Sequence, residues 1–226
     1  MNCLWCMEEM QTMLNWSNFL TLMKSNGLCD TCKVDLRLLT GARCKTCSRE
    51  TALEICSDCM WWDKQGLGDP LIKNHSIFHY NSFMQEVIAK WKYRGDFALG
   101  EIFRAYVYAD FMHEFKSLAK EAVVVPIPLS DERLLERGFN QAEVLASFLP
   151  LQQAELLIRE HGEKQSKMKR KERIRTKNPF SFEGTIKKPV ILVDDIYTTG
   201  ATLRHAATLL KENGCPGVYA YTLIRG

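Results

Sequence analysis

The chain has 226 residues, 46% hydrophobic and 25% charged, with a formal net charge of +3. That is enough for one substantial core plus a small appendage, in a composition ordinary for a soluble globular protein. The charge is too small to imply polyanion binding by itself, and no apolar run is long enough to span a membrane. The opening Met1-Asn-Cys-Leu-Trp-Cys6 lacks a basic segment followed by an apolar stretch, so no secretory signal is expected and a cytoplasmic location is the default.

The first quarter of the chain is dominated by cysteine. Eight of nine cysteines form four C-x-x-C pairs: Cys3/Cys6, Cys29/Cys32, Cys44/Cys47 and Cys56/Cys59. Two intervening residues let both sulfurs of a pair reach one tetrahedral ion from a knuckle turn, so eight thiolates satisfy two four-cysteine zinc sites with none left over. Disulfides fit a reducing compartment poorly, and a redox C-x-x-C requires one pair beside a βαβ pattern. Iron–sulfur ligation stays open, although repeated knuckles suit zinc better. Spacing does not decide which pairs share an ion; sequential pairing is favoured over a cross-braced arrangement. The segment is expected to be a double zinc-ribbon-like module over residues 1–65, folded chiefly by its metal. The Trp61-Trp62 pair at its end is expected to seal it against the rest of the chain. Cys215 lies apart and reads as a small core residue.

A Gly- and Pro-bearing linker, Lys64 to Pro70, precedes a second domain over 75–226. Ser76 to Asn81 reads as a short strand. Phe83 to Tyr93 carries Phe83, Val87, Ile88 and Trp91 on one helical face, and Phe97 to Phe115 reads as a longer helix. Ala122 to Pro128 is a strand ended by prolines. Arg133 and Arg137 follow, four apart and so on one face of a short helix that Gly138 breaks, with Asn140 able to cap the next helix, Gln141–Leu149. An apolar stretch around Leu156–Ile158 comes next, then Lys164 to Lys177, with eight basic residues and one acidic. Val190 to Val193 is a buried strand, Leu203 to Lys211 has helical spacing, and Val218 to Ile224 closes the chain as a strand. Alternating strands and helices predict an α/β fold with a parallel sheet covered on both faces, whose ligands bind beyond the carboxyl ends of the strands.

The richest chemistry follows the strand at Val190: Asp194-Asp195-Ile-Tyr-Thr198-Thr199-Gly200-Ala201-Thr202. Turn N–H groups and the positive end of the next helix converge on one spot, forming a phosphate socket. Thr198, Thr199 and Thr202 add hydroxyls, and Gly200 permits close backbone approach. Two carboxylates at such a rim suit vicinal sugar hydroxyls and a divalent cation. Helix capping alone needs one such residue, not five. Arg133 and Arg137, at another strand's carboxyl end, would form a basic rim able to hold pyrophosphate.

This stretch resembles the signature of type I phosphoribosyltransferases, which use phosphoribosyl pyrophosphate (PRPP). The resemblance implies that Asp194 and Asp195 face the ribose hydroxyls, with the loop Thr198, Thr199, Gly200, Ala201, Thr202 around the 5-phosphate. Together with P-I-P-L, R-x-x-x-R-G-F-N-Q and the amino-terminal C-x-x-C pairs, the chain is similar along its whole length to the ComF (ComFC) competence proteins. Lys92-Tyr93 and Gly95 also suit that family's Lys-Tyr-x-Gly stretch. Membership implies a phosphoribosyltransferase-like fold, a zinc module, and a role in natural transformation, where imported single-stranded DNA is handled in the cytoplasm. The expected chemistry is Mg²⁺-assisted phosphoribosyl transfer from PRPP to an unknown acceptor, with Asp194, Asp195 and Arg137 at its centre. The alternative is a non-catalytic PRPP sensor or adaptor that contacts single-stranded DNA or other competence proteins. The basic run 164–177 fits a lid over pyrophosphate, a solvated loop, or a nucleic-acid contact, in that order. The five histidines show no paired metal spacing.

Overall fold

The computed structural model describes residues 2–10, 27–64, 68–93, 95–159 and 178–226. The basic run Lys164–Lys177, Arg94 and part of the linker lie outside the described residues.

Val190 to Val193 are wholly buried because strand β5 (Val190–Tyr197) lies inside a sheet with both faces covered. Its neighbours are β6 (Val218–Arg225) and β2 (Val123–Pro126), and β1 (Lys73–His79) lies on the far side of β6. The order is β1-β6-β5-β2, and every pairing is parallel, Asp194 standing opposite Thr222 and Tyr197 opposite Arg225. The predicted α/β class with a parallel sheet is therefore present. A short antiparallel pair, β3 (Leu157–Arg159) and β4 (Phe180–Phe182), stands beside it.

Alternation along the strands divides the core in two. Val124, Ile191, Val193, Tyr221 and Leu223 join one cluster with residues of α3 (Ser82–Tyr93), α4 (Glu101–Glu114) and α6 (Gln141–Ser147). Val123, Val125, Val190, Leu192, Val218 and Ala220 join the other, with Leu203, Ala206, Ala207 and Leu210 of α7 (Ala201–Glu212). The cysteines are split the same way: Cys3 and Cys32 belong to the first cluster, and Cys44, Cys47, Cys56 and Cys59 to the second.

Three elements differ from the sequence reading. Strand β1 starts at Lys73 rather than Ser76, because its polar residues are buried but paired: Asn74 Nδ2 donates to Ser76 Oγ (2.8 Å), which meets Thr222 Oγ1 (2.7 Å). The helix expected from Phe97 opens as a 3₁₀ turn, Phe97–Gly100, before α4. Strand β5 runs on through both aspartates to Tyr197, so the loop starts later than the polarity suggested. The other expected elements lie close to their sequence bounds, with α5 (Asp131–Arg137) ending on Gly138 at φ 79° and Asn140 Oδ1 accepting from the Ala142 N–H. Among the described residues no helix is long and apolar enough to cross a membrane.

Candidate functional site

The cysteines assemble in chain order. Cys3, Cys6, Cys29 and Cys32 form one group, Cys44, Cys47, Cys56 and Cys59 the other, with all four sulfurs of each within 4.8 Å of one another. A tetrahedron of sulfurs about 2.3 Å from a central ion has edges near 3.8 Å. The Sγ–Sγ separations of 3.7 Å for Cys6–Cys29 and 3.6 Å for Cys47–Cys56 match it. Both groups repeat one design. A knuckle bonds Cys3 N–H to Glu8 O and Cys44 N–H to Arg49 O, with Met7 and Ser48 in the left-handed region. The second pair opens a short helix, α1 (Asp30–Val34) after Cys29 and α2 (Ser57–Asp63) after Cys56. Against burial, backbone N–H groups bring the Cys3 thiol down to about 6. A hydrogen bond from Cys59, aided by the Arg225 charge, holds Cys47 at about 4. Within the same groups burial and neighbouring sulfurs push the Cys32 thiol up, and a hydrogen bond with Cys47 together with burial pushes Cys59 up, so it is the four-sulfur geometry that could hold a metal ion.

The strands β5 and β2 end at a cleft of about 400 Å³. Its walls include Asp194, Asp195 and the whole run Thr198 to Thr202, together with Arg133, Arg137 and Arg159. The predicted phosphate loop and the predicted basic rim thus face one space. Gly200, at φ 75°, makes the turn possible: a Cβ there would stand 2.2 Å from both Tyr197 Oη and Arg204 Nη1. The loop hands over to α7 through Ala201 N–H to Thr199 Oγ1 (3.3 Å) and Arg204 N–H to Gly200 O (3.0 Å). N–H groups ahead of α7's first full turn have no helical carbonyl to bond and suit an anion.

The two aspartates are held differently. Burial raises Asp194 to about 7, with the Asp195 charge acting in the same direction. Burial pushes Asp195 up too, but the ion pair with Lys92 outweighs it and holds this carboxyl below its usual range. One carboxylate is fixed and one is poised to lose a proton. On the basic side, Arg137 Nη1 donates to Gln141 Oε1 (2.9 Å) and the guanidinium lies 5.7 Å from the Tyr93 ring. Arg137 Nε and Gln141 Nε2 are buried donors with no partner among the described residues, so they suit an acceptor arriving in the cleft. Burial and the charges of Arg133 and Arg137 lower the Arg159 guanidinium, a crowding of cations that favours an anion between them.

Sequence reasoning missed three of these residues. Lys92 was legible only as part of a Lys-Tyr stretch and had no assigned role. Arg159 is the last residue of the three-residue β3 and carries no motif. Gln141 read as the start of a helix and the last position of R-x-x-x-R-G-F-N-Q, with no assigned role.

An Asp194 carboxyl that holds its proton to about pH 7 has a signed consequence. Between its ordinary value of 3.8 and about 7 the folded state binds more protons than the unfolded chain, so stability falls as pH rises through that window. Asp194→Asn is expected to flatten this decline, raising the melting temperature by a few degrees at about pH 8 while changing little below about pH 4. A thermal scan across pH checks it.

No family model matches the chain. It is 35% identical over 228 residues to the "Competence protein ComFC" of Streptococcus pneumoniae, covering 100% of both chains. It is 38% identical to the Bacillus subtilis protein of the same name, over 99% of this chain and 94% of that one. The "DNA utilization protein YhgH" of Escherichia coli is 23% identical over 88% of this chain and 97% of its own. Among solved structures, a hypoxanthine phosphoribosyltransferase from Staphylococcus aureus aligns at 16% identity and a TM-score of 0.37, covering 56% of this chain and 64% of that one. With full-length identity to two relatives well above 30%, the chain belongs to the ComFC family of competence proteins.

Proposed function

We propose that this protein binds PRPP with Mg²⁺ and transfers its phosphoribosyl group to an acceptor during the handling of transforming DNA in the cytoplasm, with one zinc ion in each four-cysteine group. The observation that carries the reading is the meeting, in one cleft, of the Asp194–Asp195 pair, the Thr198–Thr202 loop and three arginines. That set matches a sugar carrying hydroxyls on one side, a 5-phosphate on another and pyrophosphate on a third. Asp195, fixed by Lys92, would accept from one ribose hydroxyl, and Asp194 would give up its proton to accept from the other. The loop amides and Thr hydroxyls would hold the 5-phosphate. Arg137, with Arg133 and Arg159, would stabilise negative charge as the C1–O bond to pyrophosphate breaks and an acceptor atom bonds to C1, losing its proton. Bound Mg²⁺ would neutralise part of the pyrophosphate charge.

Single-stranded DNA and other competence proteins are the proposed partners, in keeping with relatives named for competence and DNA utilization. Replacing both aspartates by Ala in the genome tests the whole reading. Compared at matched protein level, transformation is expected to fall by at least tenfold, and pyrophosphate release from PRPP by the purified double variant is expected to vanish. Normal transformation in that strain would make the sugar site irrelevant to DNA uptake. Loss of transformation without any pyrophosphate release by the native protein would favour a PRPP-dependent adaptor over an enzyme.

A further inference from the structure

The phosphate loop is held from behind by the second cysteine group. Arg225, at the end of β6, donates from Nε to Cys47 O (3.0 Å) and from Nη1 to Tyr197 O and Thr198 O (both 3.2 Å). Its Nη2 approaches Cys47 Sγ at 3.7 Å. Trp62, one helical turn beyond Cys59 on α2, donates from its indole Nε1 to Thr199 O (3.1 Å). Three consecutive loop carbonyls, 197, 198 and 199, are therefore fixed by side chains rooted in or touching the knuckle. The Trp62 ring also lies 4.7 Å from the Arg204 guanidinium, which binds Asp69 and donates to Tyr197 Oη at 2.6 Å.

Peptide geometry gives this arrangement a direction. In a trans peptide the C=O of one residue and the N–H of the next point opposite ways. Turning the carbonyls of Tyr197, Thr198 and Thr199 toward the knuckle turns the N–H groups of Thr198, Thr199 and Gly200 away from it, to the side where the loop lines the cleft. We propose that Trp62 and Arg225 are positioning residues through which the metal-bound knuckle Cys44/Cys47/Cys56/Cys59 aims three loop amides at the ligand's phosphate, so that sugar-phosphate affinity depends on metal at this site. The proposal rests on the reading of the loop as a phosphate grip. The first cysteine group lies in the other hydrophobic cluster, across the sheet.

The coupling is read in two ways. Trp62→Phe keeps an aromatic ring and every metal ligand but removes the donor to Thr199 O. Affinity for PRPP is expected to fall about tenfold, the worth of one strong hydrogen bond, with metal content still two ions per chain. Trp61→Phe, the same change one residue earlier, is expected to stay within about twofold of the native chain. The second readout needs no ligand: the exchange rate of the Trp62 indole proton with solvent, measured by NMR and assigned by its loss in Trp62→Phe. In metal-loaded protein this proton is expected to exchange slowly, and in Cys44→Ser at least tenfold faster. Failure of native protein to bind PRPP would remove the phosphate reading while leaving the indole measurement to judge the coupling. Equal affinities for the two tryptophan variants, or an indole rate indifferent to Cys44→Ser, would overturn the proposal. The Trp62→Phe arm stands even if Cys44→Ser does not fold.

Discussion

Stripping the metal from this protein with a strong chelator is expected to release two ions per chain and to lower the melting temperature by roughly 15 °C or more. Each four-cysteine group stands to lose binding free energy on the order of 10 kcal/mol, comparable with the entire stability of an ordinary domain. The helices involved do not stand by themselves: α1 has five residues and α2 seven, both far below the length at which helices persist alone. Nor is the damage confined to the module. Cys3 and Cys32 pack in the cluster containing Trp91 and Phe103, and Cys47 and Cys59 in the cluster containing Tyr197 and Leu203. Losing the ions therefore unseats residues on both faces of the sheet. Calorimetry paired with elemental analysis makes the check. Release of one ion, or a chelated protein melting where the loaded one does, would contradict two structural sites.

The two adjacent aspartates are expected to respond to the same substitution with opposite signs. Asp195→Asn leaves the Lys92 ammonium without its counter-charge at a site where both side chains are mostly covered, 14% exposed for the lysine and 11% for the aspartate. Breaking such a pair from one side costs about 3 kcal/mol, or roughly 10 °C in a chain of this size. Asp194→Asn, in contrast, relieves a carboxyl that burial and its neighbour already push toward neutrality, and it raises stability above pH 7. Both variants are expected to lose PRPP affinity at least a hundredfold, since each removes an ionised acceptor from the sugar. Adding Lys92→Met to Asp195→Asn should return most of the lost stability but none of the affinity. Thermal scans and ligand titrations of the three variants separate the terms; two aspartate variants that move the melting temperature in the same direction at about pH 8 would contradict the assignment of roles.

What could be read from the sequence follows how local each signal is. The Val190–Thr202 run carries strand, carboxylates, loop and helix start within thirteen positions, so its order of elements was legible, although the strand runs on through both aspartates to Tyr197. Gly138 and Asn140 announced one helix end and the next helix cap by the same local logic. The β3–β4 pair was not foreseen, because three residues are too few to show a period and the partners lie on either side of a charged run. Strand β1 hid its start because buried Asn74 and Ser76 look like surface until their partners on β6 are known. The contacts behind the phosphate loop were wholly out of reach: Trp62 and Thr199 are 137 positions apart, and Arg225 and Cys47 are 178 apart. Trp62 was expected to seal the cysteine module against the rest of the chain, and its partner turned out to be the loop that the sequence singled out for other reasons.

The central question is whether the cleft at the end of β5 takes PRPP. Calorimetric titration of the metal-loaded native protein with PRPP, with and without Mg²⁺, addresses that directly. A single saturable site that tightens with Mg²⁺ and disappears when Asp194 and Asp195 are both Ala is the predicted result. No heat above dilution in either condition, or equal binding by the double variant, would contradict it.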